Sequence, residues 1–140
     1  MNYEKERNFV RSHHRLIVWQ KAVELAKTIY QLTSNFPKEE TYGLVNQMRR
    51  SSVSVASNIA EGAGRISSAE KIKFFVIARG SLMELDTQIE IAAQLGYCLK
   101  QPVEDCRALL NSVSRLLNGL IASRKMPLPL APRSSPLANL

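Results

Sequence analysis

The sequence predicts an all-α protein, an antiparallel four-helix bundle with up-down-up-down order. Apolar residues recur at alternating intervals of three and four along four long segments, which is the spacing of helices that each bury one face. Short runs of strand-type alternation between turn dipeptides do not occur in the sequence. The links between the four segments are short, and short links favour antiparallel neighbours.

The first helix is predicted over residues 16–33, and Pro37 ends it. It carries two adjacent apolar stripes, although a surface helix of a monomeric bundle needs only one stripe of about 100°. The extra width of the apolar face predicts that the first helix either is buried or forms a second interface. The stripes are Val18, Ala22, Leu25, Ile29, Leu32 and Phe36, and Trp19, Val23, Ala26, Tyr30 and Thr33.

The second helix is predicted to begin between Pro37 and Tyr42 and to continue to about Ala60. Serines crowd its middle, between positions 51 and 57, and such small side chains permit the close approach of another helix. Gly62 and Gly64 are expected to end the helix by supplying backbone freedom for the turn.

The third helix is predicted to begin at a capping box formed by Ser67 and Glu70, and to stop at Gly96. Gly80 lies in its interior. A glycine there costs about 1 kcal/mol of helix propensity relative to alanine, so we expect it to mark a close contact between helices.

The fourth helix is predicted to begin at Pro102 and to end near Arg124. Three regions follow from these assignments: a flexible basic arm at residues 1–15, the bundle at residues 16–124, and a disordered tail at residues 125–140. Four prolines in the tail exclude a helix or a central strand there.

A chain of 140 residues with 45% apolar residues is long enough for one domain with its own core. Cys98 and Cys106 form neither a CxxC pair nor a metal-ligand set, and we expect both to be reduced thiols. The sequence contains neither a secretory signal nor an apolar run long enough to span a membrane. It therefore predicts a cytoplasmic protein with no membrane partner.

The sequence predicts no enzymatic activity, no metal site and no cofactor. A di-metal carboxylate bundle needs Glu-x-x-His on two helices, whereas His13 and His14 stand side by side in the basic arm. The chain has no nucleotide-binding glycine motif. We interpret the acidic residues as solvated or salt-bridged positions on helix faces rather than as acid/base groups; they include Glu61, Glu84, Asp86 and Glu90.

The net charge of +7 makes polyanions plausible partners. An antiparallel hairpin of helices two and three, centred on its turn, would place Arg50 level with Arg79 and create one basic ridge. Such a ridge would bind nucleic-acid phosphates through residues Arg49, Arg50, Arg65, Lys71, Lys73 and Arg79. Salt bridges of Arg49 and Arg50 to a neighbouring subunit are an equal alternative.

Three stretches carry a resemblance to a known family. They are LIVWQKAVELAKTIYQLTSNFP at 16–37, YGLVNQMRRSSVSVASNIAEGAGR at 42–65 and FFVIARGSLMELDTQIEIAAQLGY at 74–97. The chain resembles, over residues 16–121, the bacterial four-helix-bundle proteins named for reading frames within intervening sequences of 23S rRNA genes. The basic arm and the proline-rich tail lie outside the resemblance.

The resemblance implies a closed four-helix bundle that assembles into a homopentamer, has no known enzymatic activity and has a role linked to ribosomal RNA. A related bundle, the accessory variability protein of diversity-generating retroelements, works beside a reverse transcriptase and its RNA. Two functions therefore remain open: a homo-oligomer that binds structured RNA, and a helical scaffold or adaptor for a protein partner such as a reverse transcriptase.

Overall fold

The computed structural model describes residues 12–125, which contain four α-helices and no strand. The predicted tail beyond residue 125 and residues 1–11 of the predicted arm lie outside the described residues. The helices are α1 (Ile17–Thr33), α2 (Leu44–Ala63), α3 (Ser68–Gln94) and α4 (Lys100–Lys125), and two short 3-10 turns occupy Ser12–Arg15 and Lys38–Glu40. The predicted all-α, four-helix class is confirmed.

The helices form a ring in which each packs against two others: α1 against α2, α2 against α3, α3 against α4, and α4 against α1. Across the described residues, the diagonal pairs make no close backbone contact. Neighbours run in opposite directions. On α3 and α4, for example, Glu90 contacts Arg107 while Arg79 contacts Asn118. These contacts agree with the up-down-up-down order expected from the sequence.

The core lies along the axis of this ring. It is formed by the predicted three-and-four stripes, because each stripe faces the other three helices. Phe75, Leu25, Ile59 and Leu117 are among its fully buried side chains, one from each helix. The second stripe of α1 is only partly covered within one chain: Trp19 is half-buried, and Val23 and Tyr30 are exposed.

The link between α1 and α2 is longer than expected, because α2 begins only at Leu44. Pro37 is followed by a 3-10 turn at Lys38–Glu40 rather than by the second α-helix. Glu40 then supports the start of α2: its Oε1 accepts a hydrogen bond from the Leu44 N–H at 3.4 Å, and its Oε2 accepts one from the Tyr97 hydroxyl at 2.9 Å. The link between α3 and α4, which contains Tyr97, therefore helps to position the start of α2.

The helix ends at Ala63 with Gly64 as its C-cap, close to the predicted end, but the predicted backbone freedom of Gly62 and Gly64 is not used. Helix α2 continues through Gly62 to Ala63, and Gly64 keeps a right-handed helical backbone with φ of −83°. Among the described residues, only Gly96 has a positive φ, 74°, at the predicted end of α3. Gly62 is required for space, because an added Cβ would lie 2.7 Å from Cε1 of Phe75.

The predicted close contact at Gly80 is wrong, since a Cβ added there would meet no atom within 4 Å. The close contact of α2 and α3 instead involves the next residue, Ser81. Its hydroxyl lies 2.7 Å from that of Ser54, and Ser51 and Ser52 are buried nearby on α2. The serine-rich middle of α2 therefore permits the approach of α3, as its small side chains indicated.

Candidate nucleic-acid interface

The six basic residues proposed from the sequence do not form one ridge. Because Ser54 lies beside Ser81, Arg50 is level with about Leu85 and is offset from Arg79 by about six residues, or about 9 Å along the helix. The sequence-based estimate counted equal numbers of residues from the centre of the turn, whereas the contact of Ser54 with Ser81 shows the actual register. The six residues fall into three separate groups.

Arg49 is directed towards α1. Its Nε donates a hydrogen bond to Oγ1 of Thr33 at 2.9 Å, and its Nη2 donates to the carbonyl oxygen of Tyr30 at 3.4 Å. The guanidinium also lies over the Tyr30 ring, with Cζ 4.6 Å from the ring centroid. Arg49 therefore stabilises the C-terminal turn of α1, where a cation is favoured by the exposed carbonyls.

Arg50, the next residue, is exposed and forms no hydrogen bond or ion pair with any residue between 12 and 125. It lines an open cleft of about 550 Å³ between α1 and α2. The lining residues are Tyr30, Asn46, Arg49, Arg50, Val53 and Ser54. Arg49 and Arg50 thus have different roles, one holding two helices together and the other facing solvent.

Arg79 belongs to a different face of the bundle. Its Nη1 donates a hydrogen bond to Oδ1 of Asn118 at 3.3 Å, which places the side chain between α3 and α4. Arg50 lies by contrast beside the cleft between α1 and α2. The predicted pairing of Arg50 with Arg79 on one hairpin face is therefore wrong, because the two side chains leave the hairpin on opposite sides.

The other three predicted residues gather at one end of the bundle, around the turn between α2 and α3. Arg65 and Lys73 lie beside the Phe74 ring, with Arg65 Cζ at 4.6 Å and Lys73 Nζ at 5.9 Å from its centroid. Lys71 donates a hydrogen bond from Nζ to the carbonyl oxygen of Ala63 at 3.0 Å, so it also caps the end of α2.

Two basic residues that sequence analysis did not propose join this group. Lys71, His13 and Arg124 line one cavity of about 140 Å³, and no carboxylate lines it. Partial burial, together with the neighbouring positive charge of Arg124, lowers the pKa of Lys71. Burial also lowers the pKa of His13, as does the adjacent His14. We call this group the basic end; it consists of His13, Arg65, Lys71, Lys73 and Arg124.

The location of Arg124 at the basic end could have been predicted from the sequence. In an up-down-up-down bundle the C-terminus of the fourth helix lies at the same end as the turn between the second and third helices. His13 could not have been found in this way. It reaches the cavity because the 3-10 turn Ser12–Arg15 folds back on α1, where the His14 ring stacks on Trp19 at 4.3 Å between centroids.

The charges at the opposite end are more nearly balanced. Arg107 pairs with Glu90, whose pKa is lowered by its hydrogen bond from Gln94 and by Arg107, and Lys100 lies 4.0 Å from Glu104. At the basic end only Arg65 has an acidic partner within the described residues, Glu61. The bundle is therefore electrostatically asymmetric along its axis, and its basic end is the surface best suited to a polyanion.

An apolar cavity of about 440 Å³ lies between α1 and α4, and Cys98 and Cys106 are among its lining residues. Both are free cysteines. Burial raises the pKa of the Cys98 thiol, and it raises that of Cys106 to about 11, so both are protonated at neutral pH. Protonated thiols are poor nucleophiles and poor metal ligands.

Within residues 12–125, no group of three or more His, Cys, Asp or Glu side chains is arranged to hold a metal ion. None of the described helices combines the length and the apolar character needed to cross a membrane.

Comparison with known proteins agrees with this all-helical fold. A crystal structure of a protein of unknown function from the S23 ribosomal protein family of Bacteroides thetaiotaomicron VPI-5482 superposes with a TM-score of 0.68. The two share 24% sequence identity, and the match covers 75% of this chain and 98% of the other. None of the curated proteins compared with the chain matches it significantly.

The family comparison covers most of the bundle. The model of the family described as 23S rRNA-intervening sequence protein matches residues 14–119, which extend from the 3-10 turn before α1 to the last two turns of α4. This range includes all six basic residues that the sequence predicted and the two cleft-forming helices. The chain therefore belongs to the family of 23S rRNA-intervening sequence proteins.

Proposed function

We propose that this protein is a non-enzymatic, cytoplasmic homo-oligomer, a pentamer, that binds structured RNA through phosphates. The observation that carries the proposal is the basic end, where four Lys and Arg side chains from three segments converge with His13. The family description, which names a sequence within 23S rRNA genes, supports ribosomal RNA as the class of partner.

The chemistry of the basic end suits phosphate rather than a particular base. Arginine presents a planar fork of donors, and several such contacts give binding that depends on salt more than on sequence. Phe74 lies under Arg65 and Lys73 and holds their side chains close to each other. We expect Arg65, Lys73 and Arg124 to contact phosphates, with Lys71 raising the local potential while it caps α2.

Assembly into an oligomer is supported by apolar side chains that one chain leaves exposed. Ile77, Met83 and Ile91 on α3 and Val23 on α1 are each more than 40% exposed. A symmetric ring would repeat the basic end once per subunit, and an RNA that spans several subunits would gain affinity through multivalency.

The direct test is the salt dependence of RNA binding. If Z phosphates are neutralised, the logarithm of the binding constant falls against the logarithm of salt concentration with a slope of about −0.7Z to −0.9Z. The variant Arg65→Gln/Lys73→Gln should bind an rRNA hairpin more weakly and with a shallower slope. Lys38→Gln/Lys100→Gln, at the opposite end, is the control with the same loss of charge and should leave the slope unchanged.

A second function, a scaffold or adaptor for a protein such as a reverse transcriptase, is favoured by the same exposed side chains of α3, because apolar surface of this kind also suits a foreign helix. Absence of RNA binding at low salt by the assembled protein would overturn the RNA proposal. If the oligomer then dissociated when a protein partner was added, that result would favour the adaptor function.

A further inference from the structure

We propose that the cleft between α1 and α2 binds one unpaired nucleotide, whose base stacks on the exposed part of the Tyr30 ring and whose phosphate contacts Arg50. This inference deepens the proposed RNA binding and rests on it where RNA is the ligand. It is carried by different residues from those of the basic end, so the two can fail separately.

The stacking surface is already formed in the structure. Arg49 is held by its hydrogen bonds to Thr33 and to the Tyr30 carbonyl, and its guanidinium lies over the Tyr30 ring. The Tyr30 side chain is nevertheless 44% exposed at the edge of the cleft. A base can stack on the part of the Tyr30 ring that Arg49 leaves exposed, because aromatic rings are surfaces on which proteins stack unpaired bases.

The polar groups of the cleft match the rest of a nucleotide. Arg50 is exposed and has no partner among the described residues, which leaves its donors available to a phosphate. Asn46 offers an amide that can both donate to and accept from a base edge, and Ser54 offers a hydroxyl. No carboxylate lines the cleft, so nothing in its wall repels an anion.

The cleft is large enough to hold a single nucleotide. Sites for small ligands occupy about 300 to 1,000 Å³, and the cleft of about 550 Å³ lies within this range. A duplex has its bases stacked inside and offers no free face to Tyr30. A bulged or single-stranded nucleotide offers both a free face and a phosphate.

The competing occupant is a carboxylate from a second copy of the chain, paired with Arg50 across a subunit interface. That contact would satisfy Arg50 but would make no use of the exposed Tyr30 ring or of the Asn46 amide. We therefore favour the nucleotide, and the experiment below separates the two occupants.

The first experiment titrates the full-length protein with AMP, UMP and ribose 5-phosphate and follows backbone amide resonances of α1 and α2. AMP should bind about tenfold more tightly than ribose 5-phosphate, because stacking contributes about 1–3 kcal/mol per base. Tyr30→Leu should abolish this preference, Tyr30→Phe should keep it, and Arg50→Gln should weaken both ligands. The matched controls Tyr42→Leu and Arg115→Gln alter an exposed tyrosine and an exposed arginine outside the cleft, and should bind as wild type.

The second experiment compares an RNA hairpin that contains one bulged nucleotide with its fully paired counterpart. Wild type should prefer the bulged hairpin by about tenfold, and Tyr30→Leu should lose that preference without a change in salt slope. If AMP binds in the cleft but neither hairpin binds, the proposed RNA function fails and the nucleotide site stands.

Equal binding of AMP and ribose 5-phosphate would overturn the inference, as would AMP binding that Tyr30→Leu leaves unchanged. A subunit interface would be revealed by a different result: no nucleotide binding, together with a lower oligomer mass for Tyr30→Leu in light scattering. That result also overturns the inference.

Discussion

The hydroxyl oxygen of Ser54 lies 2.7 Å from that of Ser81, and this hydrogen bond joins the middle of α2 to the middle of α3. Both side chains are small, so the two helix backbones can approach each other closely. The contact also sets the register of the hairpin, and with it the positions of the basic residues on either side.

Replacing Ser81 by leucine should destabilise the bundle. Ser81 is only 8% exposed, and a larger side chain there would be forced against α2 at a cost of about 1–3 kcal/mol. Urea denaturation followed by circular dichroism measures the change. Ser123→Leu, at an exposed position of α4, is the control and should unfold at nearly the wild-type urea concentration. Equal midpoints for the two variants would show that α2 and α3 tolerate more separation than the structure indicates.

Replacing Gly62 of α2 and Gly80 of α3 by alanine should change the stability of the protein in opposite directions. Gly62→Ala places a Cβ 2.7 Å from Phe75 Cε1 and 3.2 Å from the Lys71 carbonyl oxygen, so we expect destabilisation by about 1–3 kcal/mol. Gly80→Ala places a Cβ in open space and should stabilise α3 by up to about 1 kcal/mol. Melting temperatures test both. A stabilised Gly62→Ala would contradict the tight contact with Phe75.

Adjacent arginines should differ in their effect on stability. Arg49→Ala removes the hydrogen bonds to Thr33 and Tyr30 and the contact with the Tyr30 ring, at a cost of about 1–2 kcal/mol. Arg50→Ala removes an exposed side chain with no partner in residues 12–125 and should change the free energy of unfolding by less than about 0.5 kcal/mol. Chemical denaturation of the two single variants distinguishes them, and similar losses would indicate that Arg50 also bridges to another surface.

Stability should fall at alkaline pH because of Cys106. Burial raises the pKa of this thiol from its ordinary value of 9.0 to about 11 in the folded protein. Between these values the unfolded chain has lost the proton that the folded chain retains, so the free energy of unfolding decreases as pH rises, by at most about 3 kcal/mol from this group.

The measurement compares pH slopes rather than absolute stabilities. Between pH 9 and 11, Cys106→Ala should show a shallower decline than wild type, even if it is less stable throughout because of the cavity it leaves. Identical slopes would mean that the folded and unfolded states titrate this thiol alike.

The full-length chain should be an oligomer of about five subunits in light scattering. One chain leaves Val23, Ile77, Met83 and Ile91 exposed, and burial of such side chains drives association. Met83→Glu/Ile91→Glu should lower the measured mass while the helical content stays unchanged. A wild-type monomer at micromolar concentration would rule out the oligomer.

The sequence by itself determined the elements of this protein. The three-and-four spacing predicted four helices, Ser67 caps α3 by accepting from the Glu70 N–H at 3.2 Å, and Gly96 ends that helix with a positive φ. These features depend on residues close together in the chain, whose backbone preferences and helical faces can be derived without tertiary contacts. The six basic residues were visible in the same way, but only as positions on separate helices.

The tertiary structure decided where those side chains meet. In the folded protein Arg49 lies over the Tyr30 ring, and Arg79 lies between α3 and α4. Arg124 and His13 line the same cavity as Lys71. The reason is that register and rotation between helices depend on which small residues allow close approach, such as Ser54 with Ser81 and Gly62 with Phe75. The apolar periodicity of a helix stays the same however that helix is rotated against its neighbours. It therefore specifies that one face is buried, whereas packing decides which residues of the other helices that face contacts.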